Sequence, residues 1–466
     1  MTTQAAICSL ESFSPEEYAL SVTPLLSFFT TSFSQCTKFA KQLTILPTYG
    51  TVSFGESLLI PLNKNDMVGR VYIIYTIPGI RHHSEDCHRF EGSSHYKFSD
   101  GESCSSSSSS SSSSDHHKKK RHHSSSSDSS DDDSELFDPK KRHYVTWADS
   151  FAHVATESIE LQVAGVQVNK HSGELLEILD HFTSKPGCST DEIVGRYKKE
   201  KDLWQASRKP QKRIVRARFH FCESIGKALP VFAIRKSTVR IVLKLRPFEE
   251  CWVSSDKSTP MLIDVDAELR PSDIKVEVAA NVYHLTKAER AQIYGEDHSY
   301  LMHQIQEINF PLECKEGRSA NLPLAVKLGL KHPVVSLFYV IQRDEHLGQK
   351  DWFNYSGENN EDPLEKVKIS INDKDLFPLW FGKWFRTIEP MEGYTNTPKK
   401  HIYTHSFAIC PEDETFHSGY LNFTAVDDVT IHLMLQRGLG LVHFKCWAKT
   451  LNLFRVKNGE VGLGWM

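Results

Sequence analysis

Apolar and polar residues alternate in short stretches along much of the chain. Ile159, Leu161 and Val163 alternate with Glu160 and Gln162, and after Ala164-Gly165 the phase flips to Val166 and Val168. Period-two alternation marks a strand with one buried face, and a phase flip across two turn-forming residues predicts a tight hairpin. Val239, Ile241, Leu243 and Leu245 alternate with Arg240 and Lys244, Ile274, Val276 and Val278 with Lys275 and Glu277, and Val429, Ile431, Leu433 and Leu435 with Thr430 and His432. Leu337–Ile341 is a continuous apolar run, as expected of a strand buried on both faces. Gly438-Leu439-Gly440 follows a strand and reads as a turn.

Helical spacing is rarer. Leu175, Ile178, Leu179 and Phe182 share one face of a helix that Ser172 can cap. Thr286-x-x-Glu289 is a capping-box pattern with Gly295 as a stop, and Ser189-x-x-Glu192 is a weaker copy. Many short strands, few short helices and frequent Gly/Pro turns predict an all-β chain of sandwiches or jelly rolls. At 466 residues, two β domains are the natural expectation. The polar stretch Ser254–Pro260 is the expected junction. The two halves share no residue-level repeat, so any duplication is structural only.

Residues 81–142 break the pattern with ten serines (Ser105–Ser114), the basic block Lys118–Arg121 flanked by histidines, Ser124–Ser130 and the acidic Asp131–Asp133. Such a stretch has too little apolar surface to offset its ordering entropy and predicts a long mobile surface loop inserted within a domain.

Composition narrows the function. With 39% hydrophobic residues and 26 Phe, 15 Tyr and 8 Trp, a large core is available. A net charge of −4 argues against genome packing by a global polycation. The N-terminal residues show no basic region followed by an apolar block, and the longest apolar run, Val71–Ile77, is too short to span a bilayer. The ten cysteines are scattered without a CxxC pair, which predicts free thiols in a reducing compartment.

Five segments carry a resemblance. They are Asn65–Val68 through Tyr72–Pro78; Trp147, Ala152-His153, Glu160-Leu161, Gly165 and His171–Glu174; Phe219–Cys222 with Ala228–Pro230; His332–Val334 with Tyr339–Gln342; and Ser418-Gly419, Asn422–Thr424, Asp427, Asn452–Arg455 and Gly462. In this order they resemble the double jelly-roll major capsid proteins of large icosahedral nucleocytoplasmic DNA viruses, of the iridovirus and phycodnavirus type. Ala425 and Val426 stand where the family has Arg-Ile, and the histidine-serine insertion is not a family feature.

The resemblance implies two consecutive eight-stranded jelly rolls: an N-terminal arm over residues 1–34, a first barrel over 35–253 carrying the insertion, and a second over 254–466. It implies a homotrimer of six barrels forming a pseudo-hexagonal capsomer that contacts neighbouring capsomers and minor capsid proteins, near an inner viral membrane. The implied location is the virion, with assembly in the host cytoplasm and no sequence-specific nucleic-acid binding. The aromatic stretch Phe377, Trp380, Phe381, Trp384 and Phe385 is the expected subunit surface.

No catalytic, cofactor-binding or metal-ligating residue is assigned. His82, His83, Glu85, Asp86, Cys87 and His88 have metal-ligand chemistry, but a solvated loop is the preferred reading. His116-His117 and Lys118–Arg121 have the charge to touch an anionic surface, although a solvated charge run is the preferred reading. No G-x-S-x-G, P-loop or dinucleotide fingerprint is present. Asn354-Tyr355-Ser356 and Asn422-Phe423-Thr424 fit the glycosylation pattern without a secretory route to use it. A minor capsid paralogue, a β-sandwich receptor- or carbohydrate-binding module, and a jelly-roll metal oxygenase using His432 and His443 are the competing functions. Within Ser418–Phe423, Gly419 is expected to supply backbone freedom, Asn422 a local hydrogen bond and Phe423 an apolar plug.

Overall fold

The computed structural model describes residues 37–62, 65–81, 144–185, 190–255, 269–314, 323–413 and 417–465. Among these residues each half of the chain contributes eight principal strands. The first half holds β1 (Phe39–Leu46), β2 (Ser57–Pro61), β3 (Met67–Ile77), β4 (Thr156–Val163), β5 (Val166–Ser172), β6 (Gln211–Arg216), β7 (Val239–Leu245) and β8 (Lys275–Leu285). The second holds β9 (His298–Cys314), β10 (Leu324–Lys327), β11 (Pro333–Arg343), β12 (Leu364–Ile371), β13 (Lys374–Asp375), β14 (Tyr403–Ser406), β15 (Val429–Leu435) and β16 (Gly440–Lys457).

The sheet orders are β1-β8-β3-β6 and β2-β7-β4-β5 in the first half, and β9-β16-β11-β14 and β10-β15-β12-β13 in the second. Counted from the start of each half, the two orders are the same. Each half is a jelly roll, an arrangement of two opposed antiparallel sheets, and the duplication is one of topology without a sequence repeat. Short accessory strands extend the second barrel: Trp380–Phe381 on β12, Leu421–Asn422 on β11 and Glu460–Leu463 on β16. Val145–Trp147 pairs with Trp252–Ser254 at one end of the first.

The expected strands form for the expected reason. In β4, Ile159, Leu161 and Val163 are buried while Glu160 and Gln162 are half-exposed. The β4–β5 hairpin turns on Ala164 (φ 49°) and Gly165 (φ 83°), the paired positive φ of a type I′ turn. Gly438 and Gly440 also have positive φ, in the turn between β15 and β16. β11 is buried from Val334 to Gln342.

Helices fill the connections: α1 (Phe151–Ala155), α2 (Gly173–Thr183), α3 (Asp191–Val194), α4 (Lys287–Gly295) and α5 (Gly382–Gly393). Ser172 Oγ accepts from Leu175 N–H at 3.4 Å and caps α2. Thr286 Oγ1 accepts from Glu289 N–H at 3.3 Å and caps α4, which ends at Gly295. Ser189 lies outside the described residues, and α3 is preceded by Thr190 without a side-chain cap.

One expectation is corrected. Ser254–Pro260 is not where the chain passes from one barrel to the next. β8 follows that stretch yet lies between β1 and β3, pairing Leu285 with Phe39 and Lys275 with Thr76. A jelly roll seats its last strand beside its first, so the chain leaves the first barrel only after Leu285. The arm over 1–34 and nearly all of the insertion lie outside the described residues. Arg81 ends the described stretch after β3 and Tyr144 resumes it before β4, so the insertion joins the third and fourth strands of the first barrel.

Two apolar cores result. That of the second barrel holds Leu337, Tyr339, Ile341, Ile431, Leu433, Phe444 and Phe423 between its sheets. That of the first barrel runs on past its own sheets to Phe338, Val340 and Trp447 on the other face of β11 and β16, and to Phe454 farther along β16. This shared core explains the continuous burial of β11.

Candidate functional site

A dense polar cluster lies where the barrels meet, around α2. This helix follows β5 and packs against the outer face of the β9-β16-β11-β14 sheet. Leu175, Leu176, Ile178 and Phe182 are all buried, more than one apolar stripe accounts for, because protein covers the helix on both sides. Gly173 starts α2 where a Cβ would collide with the carbonyl oxygens of His153 and Thr156.

Glu177 of α2 is fully buried. Arg196 grips its carboxylate with two N–H groups (Nε–Oε1 3.0 Å, Nη2–Oε2 2.6 Å). His153 Nδ1 lies 2.8 Å from Oε2, His181 Nε2 3.1 Å from Oε1, and Ser150 Oγ donates at 3.2 Å. The sixth contact crosses between barrels, from Lys400 Nζ to Oε1 at 3.1 Å. Burial alone would raise the carboxyl's pKa, but Lys400, His153, His181 and Arg196 together hold it well below the usual carboxylate range. One turn on, Asp180 accepts from Arg216 at 2.7 Å and Arg218 at 2.8 Å. Burial raises it, and His153, Arg218 and Arg216 more than reverse the effect.

Further ties repeat along the helix. Glu174 takes Lys445 at 2.8 Å and Tyr355 at 3.1 Å. The carbonyls of His181 and Phe182 accept from Asn396. The Phe182 ring lies 5.1 Å from Phe338 and 4.8 Å from Tyr394. From β5, Asn169 Nδ2 donates to the His303 carbonyl at 2.9 Å. Beside these ties His220, fully buried, contacts Phe454 of the second barrel at 4.7 Å, and neither ring nitrogen has a hydrogen-bond partner. Burial pushes its pKa down to about 3.

A buried, multiply paired carboxylate with a depressed pKa is neither a general acid nor a poised base. Its geometry suits a lock: the first barrel gathers the charges around Glu177, and Lys400 of the second completes them across the junction. A cleft of about 530 Å³ remains beside α2, lined in part by Arg70, Lys185, Arg216 and Arg218.

His432 and His443 do not converge. His432 pairs with Ser370 Oγ at 2.8 Å and His443 with Asp344 at 3.1 Å, and no group of three or more potential ligands lies together among the described residues. His82–His88 and His116–Arg121 lie outside those residues. Both Asn side chains of the glycosylation patterns bond locally, Asn354 accepting from Ser356 and Asn422 from Thr424 N–H. Phe423 is buried and Gly419 has φ 146°, as expected of the plug and its turn.

The aromatic stretch divides. Phe385 is buried and Phe377 packs on it at 5.2 Å, whereas Trp380 and Phe381 are 41% and 47% exposed. The sequence reading missed that Gly382–Gly393 is a helix, because Gly382, Pro390 and Gly393 obscure its periodicity. It also missed the Glu177 cluster, whose members come from distant segments.

Two family models match consecutive parts of the chain: "Major capsid protein N-terminus" over residues 126–284 and "Large eukaryotic DNA virus major capsid protein" over 289–462. A major capsid protein of Phaeocystis pouchetii virus is 20% identical, with 98% of this chain and 99% of the relative covered. Among solved structures, a chain of the PBCV-1 virus capsid superposes with a TM-score of 0.70 at 16% identity, covering 94% of this chain and all of the other. The Faustovirus major capsid protein superposes with a TM-score of 0.63 at 9% identity, covering 96% and 95%.

Proposed function

The chain belongs to the major capsid protein family of large eukaryotic DNA viruses, and from that premise we propose that three copies close into a trimer of six barrels, the pseudo-hexagonal tile of the shell. Its role is structural and its place is the virion capsid. The observation that carries the trimer is the repeated strand order of two barrels locked by the charge cluster on α2. A rigid pair of topologically equal barrels presents two sixths of a hexagon, and a three-fold axis supplies the rest. Closed rotational symmetry limits the assembly without further instruction.

The division between the barrels belongs near residue 286. It is supported by the seating of β8 and by the gap between the two family models, at 284 and 289. The insertion between β3 and β4 then decorates one end of the first barrel. Neighbouring capsomers and minor capsid proteins are the partners, with an inner viral membrane close by and assembly in the host cytoplasm. No catalytic step belongs to the chain.

Light scattering on the purified full-length protein tests this reading. A mass of three chains, with hexagonal outlines in negative stain, is expected. A stable monomer at micromolar concentration overturns it.

A further inference from the structure

The duplicated topology places two helices in equivalent positions. α2 follows β5, the fifth strand of the first barrel, and α5 follows β13, the fifth strand of the second. α2 is covered: it lies on the outer face of the second barrel's β9-β16-β11-β14 sheet, where Phe182 meets Phe338. Among the described residues no third barrel covers α5. Trp380 and Phe381 just before it are 41% and 47% exposed, and Met391 is 64% exposed. Trp384 and Ile388, partly exposed, complete an apolar stripe with Met391 at helical spacing. Met391 stands at the position of Phe182, counted from the first residue of each helix.

The sheet equivalent to the one α2 covers is β1-β8-β3-β6 of the first barrel. Its Arg216 end faces α2, but toward the β1 edge its outer face is exposed among the described residues. It forms a shallow trough of about 510 Å³ lined by Lys41, Leu43, Tyr72, Ile74, Ile214 and Asn281. On the edge strand β1, Phe39, Leu43 and Ile45 point outward at 46%, 64% and 67% exposure. Contiguous exposed apolar surface of this kind marks an interaction site, and an edge strand uncovered among the described residues invites a partner.

We propose that these two unpartnered surfaces belong to each other: the Trp380–Met391 face of one copy docks in the Leu43 trough of a second copy of this chain. The contact continues the in-chain barrel interface into the next subunit, with the same helix position on the same sheet. Lys41 in the trough and the exposed Glu392 beside Met391 supply opposite charges. Because knob and trough differ, the contact is heterologous, and repeated head to tail it closes a ring in which first and second barrels alternate. This rests on the trimer reading and adds which residues hold the ring shut.

Two measurements on the full-length protein test it. First, Leu43→Asp and Met391→Asp are made singly; both positions are exposed, so native far-UV circular dichroism is expected, with the trimer mass replaced by that of one chain. Second, chains carrying only Leu43→Cys are mixed with chains carrying only Met391→Cys, both in a Cys410→Ser background, and oxidised. A disulfide between residues 43 and 391 of different chains, identified by peptide mass spectrometry, is the expected product. A wild-type trimer with both aspartate variants trimeric overturns the docking while leaving the trimer intact. So does crosslinking of residue 43 only to itself or within its own chain. A monomeric wild-type protein removes the trimer and the docking together.

Discussion

Glu177 and Lys400 lie 3.1 Å apart although 223 positions separate them in the chain. The pair brings a buried carboxylate of the first barrel to a cation of the second, and Arg196 and His153 complete its neutralisation. Removing one member of a buried charge network leaves the others uncompensated, at a cost of ~3–5 kcal/mol. Glu177→Gln takes the carboxylate from Lys400 and from the Arg196 fork, leaving Arg196 only Asp191, and is expected to fall in that range. Lys400→Met leaves Glu177 its Arg196 fork, and about 1–3 kcal/mol is expected, the scale of a charged hydrogen bond. Urea unfolding midpoints of the two variants, at unchanged slope, measure the difference.

Gly173 tests how closely α2 is clamped. A methyl group there meets two backbone carbonyls that no rotamer change can move. Overpacking typically costs ~1–3 kcal/mol, so Gly173→Ala is expected to lower the melting temperature. Gly226→Ala, with open space around its Cβ position, is expected to leave it unchanged. Differential scanning calorimetry separates the two.

Phe423 plugs the second barrel. It is buried, its ring lies 5.8 Å from Phe407, and its N–H donates to the His332 carbonyl. Truncating a buried Phe costs ~3–5 kcal/mol, a large share of a domain's ~5–15 kcal/mol. Phe423→Ala is expected to yield insoluble or unassembled protein; recovery of soluble trimer with the wild-type melting temperature would show that the plug is dispensable.

His220 sets a pH dependence of known sign. Its imidazole titrates at about 3 in the folded chain because of burial, with Lys227 and His303 adding to the effect, against ~6.5 in an unfolded one. Between those values the unfolded chain binds a proton that the folded chain refuses, so stability rises with pH across that window. Its contribution is fully present above ~6.5 and falls by about 1.4 kcal/mol per pH unit below. His220→Phe is expected to flatten the stability profile between pH 4 and 6 by about that slope, read from denaturation midpoints at each pH. Glu177, with its depressed pKa, loses its contribution only at lower pH, as its own carboxylate becomes protonated.

What the sequence made legible was local. Alternation around Ile159 and Val239 located β4 and β7, and the unbroken run Leu337–Ile341 announced a strand covered on both faces. Long-range pairing was not legible: nothing near Val276 says that β8 closes the first barrel, so a polar stretch before it looked like the junction. Periodicity put Glu177 among the polar positions of α2, and burial of that position follows only from a second barrel folding over the helix. The aromatic stretch stood out in the sequence, but its split into the buried Phe385 and the exposed Trp380 depends on α5, whose glycines and proline mask its helical character.

The seating of β8 between β1 and β3 also orders events in time. During synthesis β1 emerges early, yet its hydrogen-bonding neighbour ends at Leu285, so Leu43 and Ile45 must wait, unpaired, while more than half the chain is made. Pairings of such separation form late and leave edges open to aggregation. The second barrel repeats the arrangement, since β9 pairs with β16 and Cys314 meets Gly440. A nascent chain of this kind is twice exposed before it is twice closed, once for each barrel.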